Sequence, residues 1–276
     1  MVRGVTGWCL NCAYLVLLVA ISPMLAWRSW RQGKYRQGWG EKLLGRVQIP
    51  SPTEGRPRIW LHAVSVGEVL QLRVLLEQLR QQLPQAELIV STTTATGYEV
   101  AREKLSADHV CYFPLDFTWA VKQALQRIQP ALIVLVELEL WPNLLATAAN
   151  RRIPVAVING RLSLRSWRGY RRVRWLLAPL LQRLSLVAVQ TEEYRERFLD
   201  LGADAARCVV TGSIKFDGVR SDRHDAAVGK LAEFFEIQPE EQVFIAGSTQ
   251  EPEEAIALEI YQALRPAFPR LRLILV

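Results

Sequence analysis

The chain is poor in the residues that build metal centres and disulfide frameworks. Four cysteines and three histidines are spread through 276 residues. Cys9 and Cys12 form a C-x-x-C, but it lies inside an apolar run, with no second pair and no histidine beside it, which argues against a metal or redox role. Cys111 and Cys208 fall in apolar, strand-like segments and read as core residues. With no disulfide framework in view, a reducing compartment is the default. No metal site is visible, and neither a metal nor another cofactor is expected. Charge is also modest, at 22% of residues against 50% hydrophobic, a balance that suits a globular α/β core plus a membrane segment.

The formal charge of +7 is unevenly distributed. Residues 4–27 carry no charge and are dominated by Leu, Val, Ala, Ile and Trp, enough to cross a hydrocarbon core of roughly 30 Å. Trp8 and Trp27 stand near the two ends, where aromatic rings favour the interface. A cleaved signal peptide would need a shorter apolar core and a small-residue cleavage site. The run instead ends in Trp27-Arg28-Ser29-Trp30-Arg31, so an uncleaved anchor is expected. Arg28, Arg31, Lys34, Arg36, Lys42 and Arg46 follow it, while Arg3 alone precedes it. That bias puts the remainder in the cytoplasm and offers a basic surface, residues 28–57, to anionic lipid. Whether the anchor spans the membrane or lies in one leaflet is left open by the sequence.

From Arg58 the pattern becomes regular. Short apolar runs at Arg58–Ala63, Glu87–Ser91, His109–Phe113, Ala131–Val136, Pro154–Ile158, Leu186–Gln190 and Cys208–Thr211 read as strands. Between them, apolar residues recur at helical spacing, as in Leu72, Leu75, Leu76, Leu79 and Leu83. This alternation implies a doubly wound parallel sheet, with a ligand site at the carboxyl ends of the strands. After a polar interdomain stretch, residues 218–241, a second βα unit covers Gln242–Gly247, Glu253–Leu264 and Leu271–Val276. Two strands do not enclose a core, so the chain is expected to stop inside its second domain, residues 242–276, and to lack activity as it stands.

Four segments carry candidate chemistry. Glu68, in Ser65-Val66-Gly67-Glu68, sits at the mouth of the sheet, where a carboxylate near a helix N-terminus is stabilised in its ionised form and can accept a proton from a sugar hydroxyl. Ser-x-x-Glu is equally a capping box. Glu137 and Glu139 end the most apolar strand, where a charge is costly unless paired or used; one satisfied buried Glu beside one capping Glu is the alternative. Lys215, in Gly212-Ser213-Ile214-Lys215-Phe216-Asp217, follows a strand and suits a carboxylate or phosphate, or a surface salt bridge. Arg161, Arg165, Arg168, Arg171, Arg172 and Arg174, interleaved with Trp167, Tyr170 and Trp175, suit lipid phosphate or a solvated helix face. The anchor favours lipid over nucleic acid, and no nucleic-acid partner is expected.

Together, His62-Ala63-Val64-Ser65-Val66-Gly67-Glu68, Glu137-Leu138-Glu139-Leu140-Trp141-Pro142-Asn143, Asn159-Gly160-Arg161-Leu162-Ser163 and Thr211-Gly212-Ser213-Ile214-Lys215-Phe216-Asp217 resemble the 3-deoxy-D-manno-octulosonic acid (Kdo) transferases of Gram-negative bacteria. The resemblance runs from the anchor to Val276. It implies a GT-B architecture in which residues 58–217 form an acceptor-binding Rossmann-like domain and the second domain binds CMP-Kdo. It implies Glu68 as general base, Glu139 and Lys215 as stabilisers of the transition state, and transfer of Kdo to a tetraacylated lipid A precursor (lipid IVA) at the bacterial inner membrane. Arg161, Arg165 and Arg168 are then candidates for the acceptor's phosphates, and Ser248 and Thr249 for donor contact, unless Gly247-Ser248-Thr249 is an ordinary helix N-cap. Other readings are a GT-B transferase with a different nucleotide sugar, or a non-catalytic module that binds lipid phosphate. The family often has Glu-Thr-Glu where this chain has Glu137-Leu138-Glu139.

Overall fold

The computed structural model describes residues 2–32, 37–217, 222 and 225–276. Lys34 and Arg36 of the basic stretch, and positions 218–221, 223 and 224 of the interdomain stretch, lie outside the described residues, as does the side chain of Arg28. The chain forms two compact units that divide at about residue 218.

The first unit begins with helix α1 (Val2–Gln32), longer at both ends than the apolar run. Its stretch Gly7–Met24 has a mean hydropathy of 1.7 and is the one segment among the described residues long and apolar enough to cross a membrane. Helix α2 (Trp39–Leu44) follows. Residues 28–57, read as a linker, are therefore partly structured. Val47 is fully buried. Gly45, at φ 65°, approaches the body so closely that a Cβ would stand 2.0 Å from the carbonyl oxygen of Ala120, a position open to glycine alone.

The body alternates as the periodicity predicts: β1 (Arg58–His62), α3 (Val66–Gln82), β2 (Glu87–Thr92), α4 (Ala95–Lys104), β3 (His109–Tyr112), α5 (Thr118–Ile128), β4 (Leu132–Val136), α6 (Pro142–Asn150), β5 (Val155–Gly160), α7 (Leu164–Arg171), α8 (Arg174–Leu181), β6 (Leu186–Val189), α9 (Glu192–Leu201) and β7 (Cys208–Val210). The arginine-rich stretch thus forms two helices, α7 and α8. All seven strands are parallel, in the order β3-β2-β1-β4-β5-β6-β7. Every residue of β1 and β2 is buried, as a sheet covered on both faces requires. Successive residues point to opposite faces. Trp60, Ile133, Leu135 and Val157 enter one core, with Cys111 and Cys208. Ile59, Leu61, Val134 and Val136 enter the other, against Leu72 and Leu76 of α3.

The second unit contains α10 (Ala226–Phe234), β8 (Gln242–Ala246), α11 (Glu253–Leu264) and β9 (Leu271–Leu275). Strands β8 and β9 pair in parallel, Gln242 opposite Leu271. Helix α10 lies inside the stretch read as a polar connection. Its N-cap is Asp225, whose carboxylate accepts from Ala227 N–H at 2.8 Å.

Candidate active site

The strand order reverses between β1 and β4, and the chain leaves their carboxyl ends in opposite directions. Such a switch point opens a crevice for ligand. Here the crevice is a cavity of about 390 Å³ lined by Glu68, Gln71, Glu137, Asn159, Arg161 and Lys215, among others. Four segments far apart in sequence therefore meet at one end of the sheet.

Glu68 is held at the N-terminus of α3 by the capping box anticipated from the sequence. Ser65 is the N-cap, and its hydroxyl accepts from Glu68 N–H at 3.3 Å. The Glu68 carboxylate reaches back, Oε1 accepting from the Ser65 hydroxyl at 2.7 Å and Oε2 from Val64 N–H at 2.9 Å. Each oxygen accepts one bond and retains a second lone pair. The cap orients the carboxylate and leaves acceptor capacity directed at the cavity. Capping and proton transfer are compatible uses of this side chain.

His62, in the same motif, is a core residue. It is fully buried, its Nδ1 lies 3.0 Å from the Ser91 carbonyl oxygen, and burial pushes its pKa down to about 3. Its ring stacks on Phe113 at 3.6 Å between centroids, and Phe113 packs in turn on Trp141 at 5.6 Å. This stack supports the floor of the loop that carries Glu137 and Glu139.

That loop is conformationally unusual. Glu137 adopts φ 61° and Asn159, at the end of the neighbouring strand, φ 55°. The left-handed region is costly for a glutamate and tolerated by asparagine. The turn at Glu137 ends β4 abruptly and exposes its carboxylate to the cavity. Glu139 is half-buried beside it. Burial, then the charges of Glu68 and Glu137, push its pKa up to about 7.

Asn159, 1% exposed, ties the site together. Its amide donates to Gln71 Oε1 at 2.9 Å. Its Oδ1 accepts from Gln190 Nε2 at 2.9 Å and from Ile214 N–H at 3.3 Å. One side chain thereby links α3, β6 and the loop of Lys215. Sequence reasoning read this Asn-Gly-Arg segment for its arginine and assigned Asn159 no role. Gln71 and Gln190 were also missed. Gln71 had a local signal, since it lies three residues after Glu68 and so on the same helix face.

The other expected site residues divide. Lys215 lines the cavity, and no ion pair to it is found among the described residues. Arg161 also lines it, but its Nε bonds Glu137 Oε2 at 3.1 Å. Arg165 and Arg168 line a separate groove on α7 with Leu164, Gly169 and Arg172, so the arginines expected to act as one acceptor patch form two groups. The physical reason is the Ser163 N-cap, which turns the chain into α7 just after Arg161. Ser248 and Thr249 lie in the second unit, in the loop after β8. Ser248 has φ 58° and donates its N–H to Val276 O at 2.8 Å. Neither caps a helix, because the N-cap of α11 is Pro252. No cluster of three or more His, Cys, Asp or Glu able to hold a metal is found among the described residues.

The family described as 3-deoxy-D-manno-octulosonic-acid transferase (kdotransferase) matches residues 37–218. A 3-deoxy-D-manno-octulosonic acid transferase of Haemophilus influenzae is 32% identical over 271 residues, which cover 95% of this chain and 62% of that protein. The chain thus spans less than two thirds of that relative's length. A bifunctional glycosyltransferase/methyltransferase of Fusobacterium nucleatum is 34% identical over 210 residues, covering 75% of this chain and 32% of that protein. Among solved structures, a UDP-GlcNAc 2-epimerase from Neisseria meningitidis, bound to UDP-GlcNAc, shares the GT-B type of fold with a TM-score of 0.56. It is 14% identical and covers 79% of this chain and 64% of that one.

Proposed function

Because the chain belongs to the 3-deoxy-D-manno-octulosonic-acid (Kdo) transferase family, we propose that the protein transfers Kdo from CMP-Kdo to a tetraacylated lipid A precursor, with inversion and with Glu68 as general base. The observation that carries this reading is the convergence of Glu68, Arg161 and Lys215 on one cavity at the switch point of the sheet. Glu68 takes the proton of the acceptor hydroxyl as its oxygen bonds to the anomeric carbon of Kdo. The bond from that carbon to CMP breaks, and CMP leaves with the electron pair. Lys215 offsets the negative charge on the donor side. Arg161 is held by Glu137 in an exposed pair, an arrangement weak enough to yield to an acceptor phosphate. Arg165 and Arg168, on their separate groove, meet the phosphate of lipid at the membrane. The first unit takes the acceptor and the second takes the donor, with Ser248 and Thr249 as its candidate contacts, on the cytoplasmic side of the inner membrane.

The direct test is transfer by the natural full-length protein, assayed with CMP-Kdo and lipid IVA beside UDP-sugars. Turnover with CMP-Kdo and none with UDP-sugars is expected. Transfer from a UDP-sugar with none from CMP-Kdo would overturn the donor assignment.

Glu139 gives this reaction a pH dependence. With a pKa of about 7, Glu139 is neutral below that pH and can donate a hydrogen bond to the anionic sugar or its leaving group; above it, Glu139 is charged and has no proton to donate. Transfer should therefore show a falling limb centred near pH 7. Glu139→Gln keeps a neutral donor and should abolish that limb while retaining turnover at pH 8. Persistence of the limb in the Gln variant would remove Glu139 from this role. By linkage, the raised pKa means that the folded state binds more protons than the unfolded state between about pH 4 and 7. This site's contribution to stability accordingly increases as pH falls through 7.

A further inference from the structure

Helix α1 is docked on the body along most of its apolar length. Gly7, Leu10, Asn11, Tyr14, Leu18 and Ile21, spaced along one face, are each at least partly buried. The contacts are specific. Asn11, 6% exposed, donates to Thr118 Oγ1 at 2.7 Å and accepts from Thr118 N–H at 3.1 Å, capping α5 with a side chain from another helix. The Tyr14 hydroxyl donates to Asp116 Oδ2 at 3.3 Å. Asp116 in turn accepts from Asn143 and Leu144 N–H, both at 2.9 Å, at the start of α6. A Cβ at Gly7 would lie 3.3 Å from the Thr118 methyl, so the helices approach closely there as well.

This docking conflicts with a helix that crosses the bilayer. From Gly7 to Ile21 the docked face is roughly 21 Å long at the rise of an α-helix, about two thirds of a hydrocarbon core of roughly 30 Å. A spanning α1 would drag the ends of α5 and α6, with Asp116 and the irregular chain around it, into hydrocarbon. Irregular backbone is not tolerated there against lipid. The opposite face of α1 is apolar and open, with Trp8 72%, Val16 69%, Val19 63% and Leu15 50% exposed. It is continued by α8, whose Trp175 is 72% exposed and Leu176 48% and which shares a groove with Gly7 and Leu10. The α7 groove of Arg165, Arg168 and Arg172 supplies the positive charge that an anionic headgroup layer attracts.

We propose that α1 does not cross the membrane but lies within one leaflet of an anionic bilayer, clamped to the body through Asn11 and Tyr14, with both of its ends on the side of the body. The occupant of the exposed face is thus lipid of that single leaflet. The test is topological and independent of turnover, so it stands or falls apart from the transfer reaction. The full-length protein, with an epitope at the N-terminal end of α1, is placed in sealed right-side-out and inverted membrane vesicles. Protease or an impermeant label is applied to each. The epitope should be reached from the same side as the body, in inverted vesicles only. An epitope reached from right-side-out vesicles while the body is protected shows a spanning helix and overturns the proposal.

Discussion

Glu68→Gln should lower the rate of Kdo transfer by roughly 10²–10⁴-fold, the usual contribution of a positioned general base, while leaving the unfolding temperature nearly unchanged. The two expectations separate because the proposed general base is also a helix cap. As a cap, Glu68 accepts from Val64 N–H and from the Ser65 hydroxyl. The glutamine carbonyl retains the first bond, and its amide can donate to Ser65, whose hydroxyl rotates to suit. In the proposed role of base, Glu68 would receive a proton at neutral pH, which an amide does not do. Glu68→Ala removes both uses, so it should match the Gln variant in rate and add a loss of about 1 kcal/mol for the missing cap. The measurements are kcat with CMP-Kdo and lipid IVA, and thermal unfolding of the same preparations. A Gln variant that transfers at the wild-type rate would reduce Glu68 to a cap.

The largest effect on stability is expected at Arg58→Ala. Arg58 is 1% exposed at the start of β1, and its partner Glu87, at the start of β2, is 4% exposed. Arg58 Nε bonds Glu87 Oε2 at 2.7 Å. The rest of the guanidinium donates to the carbonyl oxygens of Ile128 at 3.0 Å and Pro50 at 2.9 Å. The alanine would take from the buried Glu87 carboxylate its closest donor, leaving it Thr53 and the Arg56 guanidinium at 4.0 Å, and would strip the buried Ile128 carbonyl of this hydrogen bond, a loss of about 3 kcal/mol. Replacing both partners, Arg58→Met with Glu87→Leu, should cost much less, because no charge is then stranded. Arg73→Ala is the control. Its pair with Glu77 is exposed, at 66% and 49% of the side chains, and should matter by less than about 1 kcal/mol. Urea unfolding of the four proteins measures the differences. A loss below about 1 kcal/mol at Arg58→Ala would mean that water reaches Glu87 and the pair is not buried in solution.

Arg58 also marks a limit of reading along the chain. Arg58–Ala63 reads as a buried strand from its apolar residues, and it is one, but nothing local shows that its first residue is an arginine sunk in the core. The partner is 29 positions away and becomes visible only when β2 lies beside β1. Helix α10 marks a different limit. Its Val228, Leu231 and Ala232 do recur at helical spacing, but the polar residues before and after them make the whole stretch read as a connection.

The strands, most of the helices, the strand-to-helix placement of Glu68 and its cap could be read from residues alone. Each rests on neighbours within a few positions, where period, N-cap and turn chemistry act. The four motifs even stated which loops would carry the chemistry. They did not state how those loops meet. That Asn159 would hold Gln71, Gln190 and the Lys215 loop, that Arg161 would pair with Glu137 while Arg165 and Arg168 turned away, and that Asn11 and Tyr14 of an apolar helix would clamp the body at Thr118 and Asp116 all depend on contacts across 24 to 107 positions. Those contacts follow from the strand order β3-β2-β1-β4-β5-β6-β7 and from how α1 packs. Both are set by the burial of apolar faces over the whole molecule, a global condition that local periodicity does not encode.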